Sequence, residues 1–320
     1  MLLGIDIGGT KIVLALGDAE GRVRARLRRE TGASGDARAD LVRLADDARR
    51  LAAEADVALA DVEMVGVSVP GPLDREAGMV LNPPNLPGWD RARVSDWLGA
   101  HLGCPVAIEN DANAAALAEW RYGAGRGAAH MVYRSMSTGV GGGMVLGGRL
   151  HRGVCSSAGE VGHMPIVWDG ERCACGLRGC LEAYIGGAAW TRHLQRVAPE
   201  GSRAATLAGG RGHVRPEHVV AAAREGDAFA RSELDRYNDL LARAVVQLVF
   251  VLAPEVVVLG TIPTAAGEAL CLEPIRARVR AHSWPFLSER LRIEPSALGE
   301  RLPELAGLGV AADALEARRA

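Results

Sequence analysis

The chain opens on a short apolar run, Leu2 to Ile7, closed by Gly8-Gly9 and followed by a second run, Ile12 to Leu16. A turn at Asp18–Gly21 separates these from a third. Short runs bounded by glycines predict three strands joined by tight turns. A comparable pattern recurs at Met131 to Arg152: an apolar start, Ser137-Thr138-Gly139, Gly141-Gly142-Gly143, a strand Met144–Leu146 and a Gly147-Gly148 turn. Two such units this far apart predict two related halves rather than one continuous sheet.

Between them, helical periodicity runs from near Asp36, a fitting N-cap, to about Ala55. A strand at Met64–Val69 leads into a Pro/Gly-rich loop, Pro70 to Trp89, that is long for a connection. A short helix near Val94–His101, a strand Val106–Glu109 and an alanine-rich helix Ala112–Tyr122 follow. The later chain is mostly helical, notably Asp227 to about Leu252, before a buried strand Val256–Leu259 ending at Gly260. Alternating strands and helices in each half predict an α/β architecture with a cleft between two lobes.

The 320 residues suffice for two ordinary domains, and a 48% hydrophobic content indicates a packed globular protein. A formal net charge of -2 gives no electrostatic reason to expect nucleic acid or an anionic membrane as partner. No segment reads as a transmembrane helix, and MLLGIDIGG lacks the features of a signal peptide, so a cytoplasmic protein is expected. Cys104, Cys155 and Cys271 are scattered, whereas Cys173, Cys175 and Cys180 cluster. In a reducing compartment such a cluster points to metal before disulfide.

Asp6-Ile7-Gly8-Gly9-Thr10-Lys11 places an acid at a strand end, then glycines and a hydroxyl. Glycines let backbone N–H groups approach phosphate oxygens, Thr10 adds a donor, and Asp6 suits a hydrated magnesium. An ordinary hairpin turn would use the same glycines, and Lys11 reads equally as a phosphate partner or a surface lysine. A second turn of this kind, Ser137-Thr138-Gly139-Val140-Gly141-Gly142-Gly143, changes the balance. One phosphate-type turn per lobe fits a nucleotide held across a cleft, and neither is a P-loop.

Ile108-Glu109-Asn110-Asp111-Ala112-Asn113 joins a strand to the alanine-rich helix, where α/β sheets place ligands. An acid there suits acceptance of a nucleophile's proton in phosphoryl transfer, and Asn110 suits orientation of a hydroxyl. Simple helix capping by Asp111 or Asn110 is the competing account. Further on, Gly159-Glu160-Val161-Gly162-His163 precedes Cys173-Ala174-Cys175-Gly176-Leu177-Arg178-Gly179-Cys180-Leu181-Glu182. One imidazole and three thiolates form a closed, structural zinc shell. Glu160, His163 and Glu182 flank it with the acceptors that buried sugar hydroxyls need, and metal on one His163 nitrogen leaves the other for a hydroxyl.

Together these residues resemble the ROK family of sugar kinases and repressors, within the actin-like/hexokinase superfamily. The resemblance spans the whole chain. Asp6–Lys11 looks like the family's first phosphate motif and Ser137–Gly143 like its second. Val69–Asp74 with Pro84–Trp89 is similar to its sugar-proximal loop, Glu109–Ala114 to its general-base segment, and Glu160–His163 with Cys173–Glu182 to its signature.

The resemblance implies a two-lobed actin-like ATPase (ribonuclease H-like) fold with a duplicated core and an interlobe cleft. The expected small N-terminal lobe is 1–115 plus 306–320, and the large lobe with the zinc segment is 116–305. It implies ATP-dependent phosphorylation of a hexose primary hydroxyl, glucokinase-like, with Asp111 as base. Asn85, Asn110, Asp111, Glu160, His163 and Glu182 would bind the sugar. Asp6, Gly8, Gly9, Thr10, Lys11, Thr138, Gly139 and Gly260 would surround the nucleotide. His163, Cys173, Cys175 and Cys180 would hold structural zinc, magnesium would arrive with ATP, and a homodimer or homotetramer is expected.

Alternatives are an N-acetylmannosamine, N-acetylglucosamine, fructose or allose kinase, or a non-catalytic sugar-binding relative. A sugar-sensing repressor would carry a winged helix ahead of the first phosphate motif, which here begins almost at Met1. Three departures from the family stand out. Thr261-Ile262-Pro263 follows Gly260 where glycines are common, Cys155-Ser156 replaces an Asn-Gly, and Gly186 replaces a serine.

Overall fold

The computed structural model describes residues 1–83 and 85–319. Pro84, in the expected sugar-proximal loop, lies outside the described residues. The chain forms two compact units. The first comprises Met1–Gly127, Leu150–Ala158 and Ala297–Ala320, and the second Ala128–Arg149 and Gly159–Ser296.

In the first unit, β1 (Leu2–Ile7), β2 (Lys11–Gly17), β3 (Val23–Glu30), β4 (Met64–Val69) and β7 (Val106–Asn110) make one sheet in the order β3-β2-β1-β4-β7. A small separate ribbon pairs β5 (Leu73–Asp74) with β6 (Met79–Val80). β1 and β2 are antiparallel, whereas β4 and β7 run parallel to β1. β1 and β4 are buried along almost their whole length, which is why they read as apolar runs interrupted only by Asp6 and Ser68 beside their glycines. Helix Leu302–Arg319 lies on β1, β2 and β4 and returns the carboxyl end to this unit. Gly4, Gly66 and Gly307 permit that approach, because a Cβ on any of them would overlap facing backbone.

In the second unit the order is β10-β9-β8-β11-β12, built from β8 (Met131–Met136), β9 (Val140–Leu146), β10 (Arg149–Leu150), β11 (Val256–Thr261) and β12 (Arg292–Pro295). β8 and β9 form an antiparallel hairpin, and β11 and β12 run parallel to β8. Numbered within each five-stranded sheet, both read 3-2-1-4-5. The duplication expected from the two strand–Gly-turn–strand patterns is therefore a duplication of topology. Helix Ala228–Leu252 buries Leu234, Tyr237, Leu241, Val245 and Val249 in the second unit's core. Among the described residues no helix is long and apolar enough to cross a membrane.

Candidate active site and metal cluster

The first Gly-rich turn lies between β1 and β2 and closes tightly, with the Gly8 N–H donating to the Lys11 carbonyl at 2.9 Å. The Thr31 hydroxyl braces it from behind by donating to the Gly8 carbonyl at 2.6 Å. Gly9 is there for space: a Cβ would come within 3.2 Å of the Asn85 side chain. Thr10 and Lys11 lie on the turn's exposed side.

Asp6, at the end of β1, pairs in register with Ser68 on β4 and accepts its hydroxyl hydrogen at 2.6 Å. Burial pushes the Asp6 carboxyl up to about 6; the Ser68 bond opposes that rise and the Asp111 charge adds to it. The long loop after β4 folds back on the same end of the sheet. Trp89 anchors it by donating Nε1–H to Asp40 at 3.0 Å, and a Cβ on Gly71 would come within 2.9 Å of Asn110 Nδ2.

Helix Asp111–Tyr122 begins where β7 ends. Asn110 is its N-cap: Oδ1 accepts the N–H groups of Ala112 at 2.9 Å and Asn113 at 3.4 Å. Asp111 is thus the first helical residue, exposed, with the helix's positive end beneath its carboxylate. Of the two candidates for capping, Asn110 takes the N-cap position, while Asp111 Oδ1 also accepts the Ala112 N–H at 2.8 Å.

Beneath them lies a fully buried acid that sequence reading passed over. Glu109 Oε1 accepts the Asn110 N–H and the Asn113 side-chain N–H, both at 3.1 Å. Its Oε2 takes Arg152 Nε at 2.8 Å, with Arg75 Nε 3.4 Å away. Arg152 continues to Asp313 at 2.6 Å. No motif marks Arg152, which enters the first unit only because Leu150–Ala158 folds into it. Within that segment Cys155 and Ser156 have φ of 52° and 55°. Asn and Gly tolerate that left-handed region best, so Cys and Ser are unusual occupants of it.

In the second unit the turn between β8 and β9 is held by the segment that starts at Glu182. Gly187 and Ala188 donate their N–H groups to the carbonyls of Ser137 at 2.8 Å and Thr138 at 2.9 Å. The Glu182 carboxylate accepts the Val140 N–H at 2.8 Å through Oε2. A cavity of about 820 Å³ opens beside the turn, lined among others by Ser137, Thr138, Thr191, Gln195, His213 and Thr261. Gly260 sits behind it, buried against Tyr133, and Thr261 faces the cavity with φ 62° and ψ -106°. That backbone conformation normally requires glycine. His213 and Gln195 carry no motif and come from separate helical segments, so nothing in the sequence singles them out.

His163, Cys173, Cys175 and Cys180 converge, with all four candidate ligand atoms within 4.8 Å of one another. His163 Nδ1 lies 3.7 Å from Cys173 Sγ, and Cys175 Sγ lies 3.8 Å from Cys180 Sγ. A tetrahedral zinc shell places sulfur atoms about 3.8 Å apart and sulfur and nitrogen about 3.5 Å apart. The residue types and these two distances are compatible with that ion. Without metal, burial pushes the Cys173 thiol up to about 12, while the Leu177 backbone N–H draws Cys175 down. His163 Nε2 points away from the cluster toward Glu160 Oε2, 3.8 Å distant, and Cys173 Sγ lies 3.6 Å from Glu182 Oε1. Three of the six residues expected at a sugar, Glu160, His163 and Glu182, are therefore gathered around one His/Cys cluster within the second unit.

Two sheets of identical order, each with a Gly-rich turn between its first two strands, define the actin-like ATPase fold. More narrowly, the chain belongs to the ROK family, whose pattern matches residues 2–305. It is 36% identical over 304 residues to the glucokinase of Thermotoga maritima, spanning 93% of each chain. Among solved structures it is similar to a ROK hexokinase from Thermus thermophilus, with 33% identity, a TM-score of 0.82 and coverage of 100% of this chain and 99% of that one. A ROK family glucokinase from Streptomyces griseus, solved with glucose and AMPPNP, is 30% identical with a TM-score of 0.75, covering 97% and 98% of the two chains.

Proposed function

We propose that this ROK protein transfers the γ-phosphoryl group of ATP to the primary hydroxyl of a hexose, with glucose the first candidate. It is an ATP-dependent sugar kinase. The observation that carries the residue assignment is the junction of β7 and its helix: Asn110 caps, and Asp111 stands exposed beside Asp6 and the first Gly-rich turn. Asp111 accepts the proton of the attacking hydroxyl, and Asn110 and Asn85 orient the sugar from the same unit. Glu160, His163 and Glu182 take its remaining hydroxyls in the second. Gly8, Gly9, Thr10, Thr138 and Gly139 offer backbone and hydroxyl donors to the phosphates, Lys11 adds charge, and Gly260 lies behind the strand end that Thr261 extends. The cavity beside Thr138 has room for the nucleoside.

Magnesium arrives with ATP and neutralises phosphate charge, and Asp6 is placed to hold its water shell. The His163, Cys173, Cys175 and Cys180 shell takes zinc, which fixes the His163 ring so that Nε2 is presented to the sugar. A cytoplasmic location fits a cluster of reduced thiols. A homo-oligomer is supported by an exposed aromatic cluster of Phe250, Trp284 and Phe286, with ring centroids 5.2 and 5.7 Å apart.

A coupled ADP-release assay across glucose, fructose, mannose, allose and the N-acylhexosamines tests this reading, with ATP, GTP and polyphosphate as donors. Turnover of at least one hexose with ATP is expected. Absence of phosphorylation with every pair, in protein that still binds sugar, establishes a non-catalytic relative instead.

A further inference from the structure

The carboxylate of Glu182 faces two ways. Oε1 looks toward the metal cluster, 3.6 Å from Cys173 Sγ. Oε2 accepts the Val140 N–H at 2.8 Å, on the residue directly after Thr138-Gly139. Gly139 leaves room for that oxygen, since a Cβ there would overlap it. Gly186 packs on the same residue, with its would-be Cβ 2.8 Å from the Glu182 carbonyl oxygen and 3.0 Å from Cγ. The other ties from this segment to the turn, at Ser137 and Thr138, are backbone bonds. Glu182 thus supplies a side-chain tie whose loss a point substitution can test.

We propose that Glu182 is a positioning residue for the phosphate donor as well as a sugar contact: its Oε2 fixes the turn Ser137–Val140, leaving Oε1 for the acceptor. This rests on the kinase reading for what the turn binds, and extends it by giving the donor site a residue drawn from the acceptor wall. The physical basis is geometric. A carboxylate held on a backbone N–H orders that peptide more strongly than a neutral acceptor does, and the Thr138 and Gly139 donors precede it directly. Its charge works the other way, by repelling phosphate, so the two effects can be separated by substitution.

The test reads affinity for a fluorescent ATP analogue with no sugar present, a condition in which a pure sugar contact has no influence. Glu182→Ala is expected to weaken analogue binding by about tenfold, the scale of one charge-assisted bond spent on ordering a turn. Glu182→Gln keeps an acceptor for Val140 and sheds the charge, so it should bind the analogue at least as tightly as wild type while losing sugar affinity. Hydrogen exchange at the Val140 amide should accelerate in Glu182→Ala and stay protected in Glu182→Gln, with zinc content equal in all three. Unchanged analogue affinity in Glu182→Ala, or equal weakening in both variants, overturns the proposal. A wild-type protein that fails to bind the analogue at all overturns instead the assignment of the turn to the donor, and the proposal with it.

Discussion

Replacing Arg152 by Met removes the principal partner of a buried carboxylate. Glu109 is 0% exposed and Arg152 24%, and their 2.8 Å contact continues to Asp313. Breaking a buried ion pair by deleting one member costs about 3–5 kcal/mol, because the remaining charge is stranded. Two features reduce that figure here. Arg75 stays 3.4 Å from the same oxygen, and part of Arg152 is already solvated. A loss of about 2–3 kcal/mol is therefore expected in urea unfolding, with Arg152→Lys intermediate because a lysine cannot bridge both acids.

Adding Glu109→Gln to Arg152→Met should recover at least about 1 kcal/mol, since an amide can keep the Asn110 and Asn113 bonds without a stranded charge. The kinetic consequence follows from the other oxygen. Glu109 Oε1 sets the Asn110 peptide, so a shifted Glu109 misaligns Asp111. At permissive temperature kcat should fall by about tenfold with little change in KM for ATP. Stability within about 0.5 kcal/mol of wild type in Arg152→Met would show that Glu109 does not depend on Arg152.

Other consequences are equally open to measurement. Asp6 has a folded pKa of about 6, above its ordinary 3.8, so its contribution to stability is complete below pH 4 and is lost as pH rises through 6. Asp6→Asn should accordingly exceed wild type in magnesium-free stability by up to about 3 kcal/mol at pH 8, a gap that closes near pH 4; a pH-independent difference contradicts it. Thr261 holds φ 62° without being glycine, and Thr261→Gly should raise the melting temperature by relieving about 1 kcal/mol of strain; a lower value counts against strain. Gently purified protein should contain about one zinc per chain, and Cys175→Ser should lose it; metal-free wild type contradicts the four-ligand shell.

How far the sequence disclosed this molecule follows the range of the interactions involved. The His/Cys cluster was readable because its three cysteines fall within eight residues and glycines at 176 and 179 turn the chain back, both with positive φ. The sheets were readable because β1, β4, β8 and β11 are mostly buried and therefore mostly apolar. Asp111 was legible as a candidate, but whether it or Asn110 capped the helix depended on side-chain direction, which spacing does not encode.

Arg152, Asp313 and Glu109 meet across more than two hundred residues of chain, with no local pattern to announce them. The cavity residues His213 and Gln195 were invisible for the same reason. The positive φ of Thr261 is a tertiary constraint that overrides local preference.

Asp111→Asn removes the proposed base with little change of shape. Single-turnover phosphorylation of glucose should be measured beside calorimetric glucose binding, on protein of verified zinc content. With Asp111 as base, phosphoryl transfer should fall by about a thousandfold or more while glucose affinity stays within a few fold of wild type. Turnover close to wild type in Asp111→Asn contradicts that role.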